Sequence, residues 1–200
     1  MASSRAINHQ QPVFVLTGPS GAGKGTLISL LLPRFPVLRA AVSATTRPQR
    51  AGERNGVDYW FLSEREFARR VARDGFLEWV WYVGNRYGTL VSEVERIRDE
   101  GCAPLLELET EGALAVRGKV PGAVTIFVTA PVNELERRLR ERATESSGVI
   151  EERIALARRQ LQQADEFDYR IENDDRDRAA ERLAAIVERE LDRAATMSGR

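Results

Sequence analysis

The chain of 200 residues has one cysteine, Cys102, and one histidine, His9. A lone thiol excludes an internal disulfide framework and leaves nothing to complete a thiolate metal site. Cys102 reads as a small residue at the start of a strand. His9 sits in a polar N-terminal stretch with no functional pattern around it, which argues against histidine-based catalysis. No apolar run approaches the ~20 residues that cross a bilayer. Neither sign of charge prevails, with 30 Lys and Arg against 30 Asp and Glu. That balance argues against a general binder of nucleic acid or of an anionic membrane. The first eleven residues have no apolar core and read as a loose tail rather than a signal peptide, so the cytoplasm is the expected compartment. A chain of this length forms one compact domain by default.

Glycine is concentrated in one place. The stretch GPSGAGKGT, Gly18 to Thr26, follows the apolar, β-branched run Pro12 to Leu16 and precedes Leu27, Leu30 and Leu31 at helical spacing. Strand, glycine-rich turn and helix in this order form a phosphate-binding loop. Gly18, Gly21 and Gly23 let the backbone curl closely round an anion, with Pro19, Ser20 and Ala22 between them. The N–H groups of the helix start face the anion, and Lys24 reaches the outer phosphates. The strict pattern has Ser or Thr after the lysine to hold magnesium. Here Gly25 takes that place and Thr26 follows one residue later.

Strand and helix alternate at both ends of the chain. Strands are expected at Val37–Ser43, Tyr59–Leu62, Pro104–Leu108, Ala123–Thr129 and Tyr169–Glu172. Helices are expected at Glu64–Arg73, Val91–Arg98, from Pro131 onward, at Val149–Ala164 and around Leu183, Ile186, Val187 and Leu191. FLEWVWYVGNRYGTL reads as a hairpin turning at Gly84-Asn85. The alternation predicts an α/β fold, a parallel sheet with helices on both faces. The hairpin region from about Ser43 to Gly88 interrupts it and predicts a separate lobe.

That lobe carries the signs of a second anionic ligand. Arg47 and Arg50 follow a strand at a spacing that lets both guanidinium forks converge on one anion. Tyr59, Tyr87 and Thr89 add hydroxyl donors, and Glu78 stands amid Phe76, Leu77 and Trp79, where a carboxylate needs a partner.

Taken together, GPSGAGKGT, SATTRPQRAGERNGVDYWF and FLEWVWYVGNRYGTL resemble the guanylate kinase family from about Val13 to Arg193. The resemblance implies a P-loop core at about 12–42, 90–130 and 165–195, an inserted β-rich GMP-binding lobe at about 43–89, and an arginine-rich helical lid at about 131–164. It leaves residues 1–11 and 196–200 as tails. The activity it implies is transfer of the γ-phosphate of ATP, with Mg²⁺, to GMP and also to dGMP. No residue is assigned to the metal.

In this resemblance the whole loop from Gly18 to Thr26 holds ATP, with Asn173 near the adenine. Ser43, Arg47, Arg50 and Tyr59 grip the GMP phosphate beside Tyr87, while Glu78 and Thr89 read the guanine and Glu109 contacts it or the metal-bound waters. Lys24, Arg47 and the lid arginines Arg138, Arg142 and Arg153 face the phosphates in transfer. Arg138 and Arg142 lie one helical turn apart, on one face. The chain departs from the family at Glu109, where Asp is usual, at Glu111 for Gln, and at Ala143 for Gly. Two other readings stand beside this one: a non-catalytic, protein-binding module of the same family, and a same-fold kinase for another small phosphate ester.

Overall fold

The strand before the glycine loop is apolar on both sides. In β1 (Phe14–Thr17), Phe14 and Leu16 join one apolar cluster, while Val13, just before it, and Val15 join another. Alternate side chains of a strand point to opposite faces, so such a strand needs cover on both. The computed structural model, which describes residues 11–82, 84–142 and 147–198, provides it. β1 is the middle strand of a five-stranded parallel sheet with β2 (Leu38–Ala40), β7 (Ala103–Glu107), β8 (Val124–Thr129) and β9 (Tyr169–Glu172). The order is β2-β7-β1-β8-β9.

One face is covered by α1 (Lys24–Leu31) and α7 (Arg176–Ser198), through Leu27, Leu31, Leu183 and Val187. The other is covered by α3 (Val91–Asp99) and α4 (Thr110–Lys119), through Val94, Ala113 and Val116. The α/β reading of the sequence therefore holds.

The interruption is a second sheet of β3 (Ala44–Thr45), β4 (Trp60–Phe61), β5 (Phe76–Tyr82) and β6 (Asn85–Leu90), in the order β4-β3-β6-β5. It packs on α2 (Glu64–Val71), where Phe67 stacks on Phe76 at 4.2 Å. Ser63 caps α2 by accepting from the Glu66 N–H. A helical pair, α5 (Val132–Arg142) and α6 (Ser147–Leu161), closes on Leu139, Ile154 and Ala157.

Two local expectations need correction, and one helix was not foreseen. Val37–Ser43 is not one strand: β2 stops at Ala40 and β3 starts in the other sheet. Between them the Val42 N–H turns to Glu93 Oε1 at 3.1 Å, out of either ladder. The hairpin does not turn at Gly84-Asn85, because Asn85 already pairs with Tyr82. Helix α4 has no counterpart in the sequence reading, since Gly112 and Gly118 weaken the helical pattern there. His9 and Ala143 lie outside the described residues. Among those described, no helix is long and apolar enough to cross a membrane.

Candidate active site

Open parallel sheets present their ligand sites beyond the carboxyl ends of the strands. A cleft of about 580 Å³ lies there, between the ends of β1 and β7 and the smaller sheet. Of the residues singled out in the sequence, Ser20, Gly21, Gly23, Lys24, Gly25, Thr26, Ser43, Tyr59, Glu78, Tyr87, Glu109 and Arg153 line it.

The glycine loop fits between the sheet and the cleft because it lacks side chains. A Cβ on Gly18, which has φ +137°, would lie 2.0 Å from the Val128 carbonyl oxygen. The loop is braced from outside the cleft. Asn173 Nδ2 donates to the Ala22 carbonyl at 2.7 Å, and Arg138 Nη1 donates to the Gly21 carbonyl at 3.1 Å. Arg138 Nε is held by Glu134 Oε1 at 2.8 Å. Arg137 and Arg138 together hold the Glu134 carboxyl down at about 2. Lys24 Nζ folds over the loop, 2.7 Å from the Gly18 carbonyl and 3.3 Å from that of Pro19. Arg142 ends α5, and its side chain lies outside the described ones.

Opposite the loop, Glu107 projects from the end of β7 into the cleft. Its carboxyl is open to the cleft yet ringed by protein. That confinement pushes its pKa above the ordinary range, with Lys24 opposing the rise and Glu109 adding to it. Glu107 was missed in the sequence, where it lies within the expected strand Pro104–Leu108 without a role. Glu109 immediately precedes α4, and its carboxylate accepts from Gln160 Nε2 of α6 at 3.3 Å. Gln160 was missed as well.

On the smaller sheet, Glu78 is only 3% exposed. Burial raises its pKa, and the hydrogen bond from Thr89 Oγ1 at 2.8 Å is the main opposing influence. Thr89 stands behind Glu78, fully buried, rather than on the cleft wall. Glu53 is held from Arg47 and Arg50 in different ways: Arg47 Nη2 donates to Glu53 Oε1 at 2.7 Å, whereas the donor from Arg50 is its backbone N–H, to Glu53 Oε2 at 2.8 Å. The Arg47 guanidinium lies over the rings of Tyr59 and Phe61, and Tyr59 meets Tyr87 edge-on at 6.1 Å. The arrangement sets a glycine-rich loop and its lysine on one wall and a buried carboxyl group on the other.

The guanylate kinase family model matches residues 10–190. The chain belongs to the guanylate kinase family. It is 48% identical over 178 residues to the guanylate kinase of Rubrobacter xylanophilus, covering 88% of this chain and 93% of that one. It is 46% identical to the guanylate kinase of Synechocystis sp., covering 88% and 92%. In three dimensions it resembles the crystal structure of guanylate kinase from Anaplasma phagocytophilum, with a TM-score of 0.72, 28% identity and coverage of 90% and 86%. The parallel sheet carries the glycine loop, and the smaller sheet carries Glu78.

Proposed function

We infer that the chain transfers the γ-phosphate of ATP to GMP, yielding ADP and GDP. The observation that carries this reading is Glu78: a buried carboxylate, fixed by Thr89, that lines the same cleft as the phosphate loop. Guanine presents N1–H and an exocyclic amine as adjacent donors, and an ionised carboxylate accepts both. The relatives' family name and the P-loop geometry support the nucleotide donor on the opposite wall.

In this reading Ser43, Arg47, Arg50, Tyr59 and Tyr87 hold the GMP phosphate, with Glu53 fixing the direction of the Arg47 fork beforehand. Thr89 keeps Glu78 aimed, and Glu109 adds a second carboxylate towards the base. The loop from Gly18 to Thr26 cradles the ATP phosphates, and Asn173 holds the loop's shape near the adenine. Lys24 leaves its loop carbonyls for the outer phosphates. Arg138 and Arg153, with Arg142, supply positive charge to the transferring group from the lid side. Phosphoryl transfer needs alignment and charge neutralisation more than covalent help from the protein. Residues 43–89 act as the GMP lobe and 131–164 as the lid, whose closure excludes water.

Magnesium fits the residues present. Among the described residues no group of three His, Cys, Asp or Glu forms a metal cage. Mg²⁺ needs none, being held largely by phosphates and water with one or two carboxylates. Glu107 and Thr26 both line the cleft beside Lys24 and would hold it there, Thr26 standing in for the hydroxyl that Gly25 lacks. The ion bound with ATP supplies neutralisation of phosphate charge.

A coupled assay of ATP with GMP, dGMP, AMP, CMP and UMP tests the reading. A site built on polar matches rejects mismatched partners by about 10⁴, so GMP should exceed AMP by at least about a thousandfold in kcat/KM. Equal turnover of AMP or UMP would overturn it.

A further inference from the structure

Helix α4 begins Thr110, Glu111, Gly112, and Gly112 is buried in its first turn. The glycine is not there for its backbone, which is ordinary helix, and glycine weakens a helix relative to alanine. What the missing side chain leaves room for is Glu78. A Cβ on Gly112 would lie 2.5 Å from Glu78 Oε2 and 3.2 Å from its Cδ. The carboxylate thus rests directly on the first turn of α4, with Oε1 on the Thr89 hydroxyl and Oε2 against Gly112.

We propose that Gly112 is a positioning residue for base selectivity, seating the Glu78 carboxylate against the N-terminal turn of α4. Two consequences follow from the seat. The carboxyl group is pinned from two elements, so its plane is set before a base arrives. A carboxylate beside the first turn of a helix is also favoured by the positive end of the helix dipole, which counters the burial that favours its neutral form. The inference rests on the reading of Glu78 as the guanine acceptor.

Gly112→Ala forces Glu78 Oε2 outward by nearly 1 Å to reach an ordinary contact, and a displacement of 1 Å costs on the order of a hundredfold in rate. The expected result is a fall of about that size in kcat/KM for GMP, expressed in KM for GMP, with KM for ATP within about twofold of the parent. The helix itself gains from alanine, so weakened helix propensity is not the cause.

The decisive comparison is Glu78→Asp in both backgrounds. Asp withdraws the carboxylate by one carbon–carbon bond, about 1.5 Å. It should lower kcat/KM for GMP in the parent and raise it in Gly112→Ala, a reversal of sign that independent sites do not show. This double variant relieves the clash, so it remains measurable if the single one folds poorly. Equal losses from Glu78→Asp in the two backgrounds would overturn the proposal, as would an unchanged KM for GMP in Gly112→Ala. If Glu78→Gln retains full guanine preference, the reading of Glu78 fails and takes this proposal with it. If Glu78→Gln loses the preference while Gly112→Ala behaves as the parent, the role of Gly112 alone is lost.

Discussion

Thr89 stands directly opposite Glu78 in the β5–β6 register, and its hydroxyl donates to Glu78 Oε1 at 2.8 Å. Burial alone would drive that carboxyl towards its neutral form, and the Thr89 bond is the main influence keeping it charged. The pair ties the chemistry of the site to the pairing of two strands.

A pH dependence follows. The Glu78 pKa lies above the ordinary range, so with Glu78 as the proposed guanine acceptor GMP affinity should fall on acidification before it would for an exposed glutamate. Thr89→Val removes the opposing bond at nearly constant shape and raises the pKa further. The rise in KM for GMP on acidification should therefore begin at a higher pH in Thr89→Val than in the parent. Protonation of the GMP phosphate is common to both proteins, so the difference between the two profiles is the readout. Stability runs the other way with pH. A group whose folded pKa is raised contributes most at low pH and loses that contribution as pH rises through the folded pKa. Thr89→Val, with a bond to a charged group lost, should cost about 1.5–3 kcal/mol near neutrality, and less in acid. Superimposable pH profiles would rule out Thr89 as the group that sustains the charge.

Asn173 gives a second expectation. Its side chain is 5% exposed, and its Nδ2 donates to the carbonyl of the fully buried Ala22 at 2.7 Å. Asn173→Ala strands that carbonyl, at about 1–3 kcal/mol, and slackens the phosphate loop. Melting temperature should fall, and KM for ATP should rise more than KM for GMP. Asn173→Asp should be worse than Ala, since it sets a carboxylate oxygen against the carbonyl. A lower ATP affinity with an unchanged melting temperature would mean that the side chain serves the nucleotide alone.

The phosphate loop and the apolar strands around it were legible because their signals are local: composition, spacing and what precedes and follows. Glu78 was legible too, as a charge in an apolar run that demanded a partner. Gly112 and Glu107 were not. A glycine in a helix reads as a weak helix until the neighbour it makes room for is known, and that neighbour sits on another sheet. Glu107 lies within an expected strand without a role, and only the fold brings Lys24 across from it. Gln160 was hidden in the same way, on a charged helix whose buried side depends on where α6 lands.

Glu109 offers a third test. Its longer side chain, where the family usually has Asp, meets Gln160 Nε2 at 3.3 Å. Glu109→Asp retracts the carboxylate by one methylene and breaks that bond. We expect kcat/KM for GMP to rise or stay unchanged, with the contact to α6 lost. If Glu109 works through Gln160, then Glu109→Asp and Gln160→Ala give the same effect and their combination adds nothing further. A large loss from Glu109→Asp alone, with Gln160→Ala silent, would show that the local backbone is fitted to the longer acid.

The sharpest test of the phosphate loop is Lys24. An ammonium has three donors, and here the loop's own carbonyls at Gly18 and Pro19 take two of them, at 2.7 and 3.3 Å. The lysine is thus held close to where the outer phosphates would lie, and a short rotation exchanges carbonyls for phosphate oxygens. Lys24→Ala removes that charge. Turnover should fall at least a hundredfold, the scale of losing one preorganised donor, about 3 kcal/mol. The fold should be nearly indifferent, because the ammonium packs on no apolar cluster and its carbonyl partners border the open cleft. Lys24→Arg should not rescue it: the planar fork is wider than a point ammonium and does not nest between the same two carbonyls. Glu107 provides an internal check. Lys24 is what draws the Glu107 pKa down, so in Lys24→Ala that carboxyl should titrate at a higher pH than in the parent, visible by NMR without any turnover. Near-normal turnover in a folded Lys24→Ala protein would remove the phosphate loop from the mechanism, whatever the family.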